Sequence, residues 1–418
     1  MVTLVTSSNN KHILILNHHA SSPNVGGGAR HYELGEFLSS KKYYVSIVSS
    51  SYSKSKNRYH YDEEIKIETY NQYFNFIYLK TKPPFGSTLN RFRNYLDYMN
   101  KAYKYREYYK NPDVVIASSV HPLAWSAGYK ISRKYNAKFV VEVRDLWPLS
   151  MYEDFSGITR KGVFSFFEYF ERKYYNLADK IITTAPYAYE YIEEKYAINR
   201  DKVVNIPHGI DIKNFDRNLQ KSEHNLPQDL KKILDNYFCI TYTGSLSQSE
   251  GLETLVEAAK HLQKYEEIKI VIVGGGSEKE KLKNEIQQNK LNNVTMFDKV
   301  DRDLVPLILK KSKVLFCGLK DRKVFKYGIS KNKFYDYMAA SKPIIFASNV
   351  RGSIISKAEA GITIPPGDPK NLADNIVNLY KNINTLGVKY GENGRHYVEK
   401  NHTVNTISGQ FLEVIEES

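Results

Sequence analysis

Lys333 and Asp336 stand three residues apart in a helix-forming run, Lys333 to Ala340, that follows a polar, glycine-containing loop from Tyr327 to Asn332. A loop entering a helix presents unpaired backbone N–H groups beside the positive end of the helix dipole, and the two together favour an anion, phosphate above all. Lys333 adds a mobile positive charge there. Asp336, one turn deeper, is placed to accept hydrogen bonds from sugar hydroxyls. The plain alternative is a loop–helix–strand unit with a solvated lysine and a helix-dipole aspartate. A triple glycine in Val25-Gly-Gly-Gly-Ala-Arg30 lies between a strand-like and a helical run, an arrangement in which backbone amides can approach a phosphate. It is not the spaced G-x-G-x-x-G fingerprint, and a loop tip is its alternative. Two more polar tips, Ser118-Ser-Val-His121-Pro122 and Arg144-Asp145-Leu-Trp-Pro148, end strand-like runs. In doubly wound sheets ligands bind at that end of the strands. A structural Arg144–Asp145 ion pair and a capping role for His121 are the competing readings.

These residues need a scaffold, and the hydrophobic pattern supplies one. Short apolar runs of the buried parallel-strand kind are His12–Leu16, Tyr44–Val48, Phe76–Leu79, Asp113–Ala117, Lys138–Val143, Lys180–Thr184 and Val203–Ile206. After a polar, charged stretch they resume at Phe238–Tyr242, Ile268–Val273, Val294–Phe297, Val314–Cys317 and Ile344–Ala347. Helical stripes separate them, for example Leu252, Leu255, Val256, Ala259 and Leu262. At 418 residues the chain is too long for one ordinary core. The expectation is an α/β protein of two doubly wound, parallel-sheet, Rossmann-like domains facing a cleft, the usual place for a ligand. The divisions expected are 1–207, a linker over 208–236, a second domain over 237–395, and a C-terminal helix over 396–418 returning to the first domain.

Composition excludes several classes. With 42% hydrophobic and 25% charged residues the chain is globular. Its two cysteines, Cys239 and Cys317, lie in apolar runs and form neither metal spacing nor disulfide framework, which suits a reducing cytoplasm. No apolar run approaches the roughly 20 residues of a membrane-spanning helix. The run Lys11–Asn17 is too short for a signal peptide and reads as a first strand. A formal charge of +14 suits anionic partners. Asn90–Lys110 reads as a basic amphipathic helix, with Phe92, Tyr95, Leu96, Met99 and Tyr103 near helical spacing and Arg91, Arg93, Lys101 and Lys104 among its cations. Such a helix lies on an anionic bilayer or packs its apolar face on the core.

Taken in order, Asn24–His31, Ser118–Pro122, Glu142–Pro148, Pro207–Asp211, Tyr242–Ser245 with Gly251–Leu255, Ile272–Gly276 and Tyr327–Pro343 resemble family 4 glycosyltransferases of the GT-B fold. The similarity is to the bacterial O-antigen and capsule branch, including acetamido-sugar, fucosamine-type transferases. The resemblance implies a nucleotide-sugar donor held mainly by the second domain and an acceptor mainly on the first. It assigns donor contacts to Gly27, Gly28, Gly244, Ser245, Gly275, Ser330, Asn332, Lys333, Phe334 and Asp336, with Asp336 on the ribose and backbone at Lys299 and Val300 on the base. His121, Arg144 and Asp145 would face the transferred sugar and the acceptor hydroxyl. The chain departs from the pattern twice. The family's first acid, eight positions before Asp336, is Gly328 here. The basic residues that usually follow the second-domain glycine are replaced by Ser245-Leu-Ser-Gln-Ser-Glu250. Lys333, Arg144, Lys326 and Lys331 are the candidates left to meet the diphosphate charge.

The activity so implied is retaining, metal-independent transfer of an N-acetylated hexosamine or deoxyhexosamine. The donor would be a UDP-sugar, and no cofactor is expected. The implied acceptor is a polyprenyl-diphosphate-linked saccharide at the cytoplasmic face of the inner membrane, where the protein would be peripheral. Nucleic acid is not an expected partner, since no nucleic-acid motif is present. Two rivals are a nucleotide-sugar 2-epimerase of the same fold and a non-enzymatic basic protein that binds polyanions or membranes.

Overall fold

In the computed structural model of the protein, the structure describes residues 11–26, 30–53, 57–84, 88–119, 121–150, 157–221 and 225–417. The chain divides into two compact units, Met1–Pro207 with Ile407–Ser418, and His208–Thr406.

The first unit contains β1 (His12–Leu16), α1 (Arg30–Ser40), β2 (Tyr44–Ser50), a short β3–β4 pair (Tyr52–Ser53 and Arg58–Tyr59), β5 (Ile65–Asn71) and β6 (Phe74–Leu79). There follow α2 (Thr88–Lys104), β7 (Val114–Ser118), α3 (Leu123–Tyr135), β8 (Lys138–Val143), α4 (Gly157–Leu177), β9 (Lys180–Thr183), α5 (Ala188–Tyr196) and β10 (Val203–Asn205). The sheet order is β10-β9-β8-β7-β1-β2-β6-β5. All neighbours pair parallel except the edge pair β5–β6, which is antiparallel. Strands β1 and β7 are buried along their whole length, so they read as unbroken apolar runs. β5 escapes a sequence reading because Ile65-Lys-Ile-Glu-Thr-Tyr-Asn alternates at a half-exposed edge. Helix α2 turns a different face inward from the one expected. Asn94, Tyr98 and Ala102 are fully buried, and Met99 and Tyr103 flank them.

Three of the tyrosines are plainly structural. The buried Glu171 carboxylate accepts hydroxyls from Tyr175 at 2.8 Å, Tyr191 at 2.9 Å and Tyr196, which fastens α4 to α5. The C-terminal α15 (Val404–Glu416) puts Ile407, Phe411, Val414 and Ile415 against Leu34 and Leu38 in this unit's core. Glu416 also pairs with Lys11 at 2.9 Å.

The second unit opens with α6 (Ile212–Leu219) and α7 (Gln228–Asn236). The stretch read as a linker is therefore helical in part. Leu230 and Leu234 pack on Cys239 and Val271, and Arg395 grips Asp216 at 2.8 and 2.7 Å. Next come β11 (Phe238–Ser245), α8 (Leu252–Leu262), β12 (Ile268–Gly275), α9 (Lys279–Gln288), β13 (Val294–Phe297), α10 (Val305–Lys311) and β14 (Val314–Gly318). The unit closes with α11 (Asn332–Ala339), β15 (Ile344–Ala347), α12 (Ile354–Lys357), β16 (Gly361–Ile364), α13 (Pro369–Lys381) and α14 (Val388–Asn401). Its six parallel strands run β13-β12-β11-β14-β15-β16. Relabelled from the first strand, this is the 3-2-1-4-5-6 order of a Rossmann sheet, whose switch point lies between β11 and β14. Cys239 and Cys317 are buried free thiols that burial pushes up to about 12.

Five buried histidines make the fold acid-sensitive. Burial lowers His12 and His402 to about 4, holds His18 and His121 well below the ordinary value of 6.5, and lowers His31 less. Each takes up a proton more readily when unfolded. Their stabilisation is complete above 6.5 and is lost as pH falls towards about 4. Glu171, raised to about 7 by burial, acts in the opposite sense, and so do Asp336, raised to about 6, and Glu285. The histidines outnumber these acids, so the urea midpoint is expected to be lower at about pH 5 than at about pH 7.5. An equal or higher midpoint at the acid value would contradict this.

Candidate active site

In the second unit Gly244, Ser245 and Lys333 gather at the switch point. β11 ends at Gly244 and Ser245, both exposed, and α11 begins beside them. Helix α11 has no side-chain cap at Lys331 and no acid in its first turn, so its dipole end faces a basic loop. The Lys333 ammonium bonds the Glu250 carboxylate at 2.6 Å and the Tyr242 hydroxyl at 2.8 Å. Lys331 takes the other Glu250 oxygen at 2.6 Å. Gly244 has φ +145°, and a side-chain carbon there would lie 3.2 Å from the Lys333 nitrogen. Glycine at this position therefore leaves the ammonium its place. Asp336 is half-buried, and its carboxylate makes no hydrogen bond among the described residues. Burial pushes it up to about 6, opposed by the nearby Arg302 guanidinium.

The remaining donor candidates divide. Asn332 is exposed beside Lys333, and Phe334 is buried, its ring against Phe346, so only its backbone can serve. The Ser330 hydroxyl is occupied by the His208 N–H at 2.9 Å and by Tyr335 at 2.8 Å. Gly275 has open space where a side chain would be, and its carbonyl accepts the Leu246 N–H at 3.0 Å. Lys299 is exposed, while Val300 packs against the cluster of Leu307 and Leu230. Gly27 and Gly28 lie outside the described residues.

In the first unit the strand ends form a buried polar network. Glu142 bonds Arg30 Nε at 2.8 Å and His31 Nε2 at 2.7 Å. His31 continues to Asn17 at 3.0 Å, and Asn17 reaches Ser118 at 3.3 Å. Arg30 also holds the carbonyls of Pro207 at 2.6 Å and Ile206 at 2.8 Å. Burial works to raise Glu142, but His31 and Arg30 outweigh it and keep the carboxyl ionised well below its usual range. Arg144 is fixed through its backbone: its N–H donates to Ser119 at 3.0 Å and its carbonyl accepts from Thr184 at 2.9 Å. Its side chain is half-buried with Nε unpartnered, and Asp145 is exposed. His121 is placed differently from the expected substrate-facing role. It is fully buried, stacked on Tyr95 with ring centroids 4.0 Å apart and bonded to His18 at 2.8 Å.

On α2, Arg91, Arg93 and Lys104 are exposed. Lys101 is engaged with Glu64 at 3.0 Å, with Asp97 at 3.7 Å and with the Lys80 carbonyl. Sequence reasoning gave no contact to Glu250, Tyr242, Arg30, His31 or Glu142, which hold these polar networks together. Glu142 carried a usable signal: a lone acid in the apolar run Phe139-Val-Val-Glu-Val143 must find a cation when buried.

Two family descriptions match the chain, one in each unit. Residues 25–214 match Glycosyltransferase Family 4, and residues 238–382 match Glycosyl transferases group 1. Among curated proteins, the O-antigen chain mannosyltransferase C of Escherichia coli is 24% identical over 260 residues. The matched stretch spans 61% of this chain and 65% of that relative, so it covers less than two thirds of the relative's length. Among solved structures, sucrose-phosphate synthase from Thermosynechococcus elongatus superposes with a TM-score of 0.73 at 18% identity, covering 97% of this chain and 98% of that one. HepE of Anabaena, solved in complex with UDP and glucose, gives a TM-score of 0.66 at 15% identity, covering 97% and 99%. The fold is GT-B, with a Rossmann-like sheet in each unit.

Proposed function

We propose that this chain, matched by glycosyltransferase families in both of its units, is a retaining, metal-independent glycosyltransferase of surface-polysaccharide synthesis. The observation that carries the reading is the convergence of Lys331 and Lys333 on Glu250, with Gly244 beside Lys333, at the switch point of a Rossmann sheet, and Asp336 one turn on in α11. A cationic pair beside a helix N-terminus suits a diphosphate, and a half-buried carboxylate one turn on suits ribose hydroxyls. The donor we infer is a UDP-sugar, an N-acetylated hexosamine or deoxyhexosamine. The complex of HepE with UDP and glucose, on the same fold, supports the nucleotide. The name of the Escherichia coli relative supports the polysaccharide setting.

Transfer requires that charge on the departing diphosphate be neutralised and the acceptor hydroxyl be held in line. Lys331 and Lys333 supply the first. Arg144 and Asp145, held at the end of β8 by Ser119 and Thr184, are the groups of the first unit offered to sugar and acceptor. His121 acts by fixing the end of β7 through Tyr95 and His18. Retention follows if the leaving phosphate oxygen accepts the acceptor proton on the same face. Among the described residues no helix is long and apolar enough to cross a membrane. We infer a polyprenyl-diphosphate-linked acceptor, approached at the cytoplasmic membrane face through Arg91, Arg93 and Lys104.

A panel of nucleotide sugars tests this by thermal shift and nucleoside diphosphate release. One UDP-sugar is expected to raise the melting temperature, to release UDP only when acceptor is present, and to do so in excess chelator. Epimerised sugar without acceptor, or activity restored after chelation only by manganese, would count against the reading.

A further inference from the structure

We infer that Glu250 is a positioning residue that holds Lys331 and Lys333 together, charged and convergent, as a cradle for the donor diphosphate. This rests on the function proposed above and adds a residue for which the family resemblance offers no role. In that resemblance, basic side chains belong to the loop after the second-domain glycine. Here the loop ends in an acid, and the cations sit across from it at the start of α11.

The geometry is that of a built site. Glu250 is 7% exposed, and each of its carboxylate oxygens is 2.6 Å from a different lysine. One carboxylate thus brings two ammonium groups within a few ångströms of each other. Two like charges so close repel strongly where water is scarce. The lysines are not long-range visitors, since their side chains are 23% and 16% exposed. The loop that carries Glu250 is pinned at both ends. The Leu246 N–H bonds the Gly275 carbonyl at 3.0 Å, and the Lys320 N–H bonds the Ser249 carbonyl at 3.0 Å. Gly318 completes the fit, because a side-chain carbon there would come 2.6 Å from the Glu250 carbonyl. The other titratable groups facing the carboxylate are Tyr242, whose hydroxyl lies 3.2 Å away, Tyr337 and Cys317, all neutral at ordinary pH. One acid therefore offsets two cations and leaves a single positive charge in excess, with the Lys333 ammonium held beside Gly244.

Without Glu250 the pair would keep its burial and its mutual repulsion and lose its only counter-charge among the described residues. Burial already lowers Lys331, with the carboxylate opposing it. One lysine would then shed its proton as pH rises, or swing out to water. The cradle would fail at alkaline pH and survive at lower pH, where both lysines stay protonated. A loss of folding alone would show no such dependence.

Inorganic pyrophosphate titrated by calorimetry into wild type, Glu250→Gln and Lys333→Ala between about pH 6.5 and about pH 9 tests this, with melting curves confirming that each variant is folded. Wild type should bind across the range and Lys333→Ala should bind weakly throughout. Glu250→Gln should bind within about threefold of wild type at the lower pH and at least about tenfold more weakly at the higher. Should Glu250→Gln prove unstable, Glu250→Asp, which keeps the charge on a shorter arm, should restore the wild-type pH profile at reduced affinity. Equal or tighter pyrophosphate binding by Glu250→Gln at the higher pH would overturn the assignment, and so would no binding by wild type. If the cradle binds pyrophosphate as described but no nucleotide sugar is turned over, the transferase reading fails while the role of Glu250 stands.

Discussion

Lys333→Ala is expected to lower kcat/KM for the donor by about 100- to 1000-fold, the usual loss when one preorganised group that meets developing charge is removed. Two features of the site make the loss large. Lys333 is held by Glu250 and by Tyr242 at 2.8 Å, so its ammonium is in place before any donor arrives and no ordering cost is left for the reaction. It also lies over the Tyr242 ring, 4.1 Å from the centroid, in a partly dry setting where charge is weakly screened. Lys331, on the opposite oxygen of Glu250, supplies the other half of the cradle and cannot meet the charge at both places. The fold should tolerate the change, because Glu250 keeps Lys331 and the hydroxyl of Tyr242. Steady-state kinetics beside a melting curve separate the two effects. A loss below about tenfold in a folded variant would remove Lys333 from the chemistry.

Glu142→Ala is expected to destabilise the protein by about 3–5 kcal/mol, the cost of leaving a buried cation without its partner. The Glu142 side chain is 0% exposed and that of Arg30 8%, so solvent does little to screen the pair. The damage would spread, because Arg30 also ties the carbonyls of Ile206 and Pro207 at the end of the first unit's sheet. Removing the stranded charge as well, in Arg30→Leu with Glu142→Ala, should recover part of the loss. The carboxyl is held below its usual range, so its contribution is present above about pH 4.5 and is lost as pH falls through its lower folded value. Urea unfolding near neutral pH is the measurement, and a change below about 1 kcal/mol would contradict it.

The expected strands appear where the apolar runs lie because buried parallel strands have no solvent face to break the pattern. β1 and β8 match their predicted bounds residue for residue. The edge strand β5 was illegible because its alternating polar residues resemble a loop. Helix α2 was legible as a helix, but its buried face includes Asn94, whose amide meets Thr81 at 2.9 Å. A polar residue satisfied inside the fold gives no hydrophobic signal. The same limit hid the working contacts of the site. Lys333 and Asp336 were legible from helix-start chemistry, whereas Glu250 reads as one more polar loop residue until the Rossmann order brings the ends of β11 and β14 together. His121 misled for the opposite reason. A histidine at the end of a parallel strand looks available, but Tyr95 of α2 covers its ring.

The most direct measurement of the central claim is sugar transfer itself, with the donor that stabilises the protein supplied in labelled form together with a polyprenyl-diphosphate saccharide acceptor. The account predicts one nucleoside diphosphate released for each labelled sugar that enters the lipid fraction, with the anomeric configuration of the donor kept and with both signals lost in Lys333→Ala. Label that stays in water while donor is consumed, or a product of inverted configuration, would contradict it.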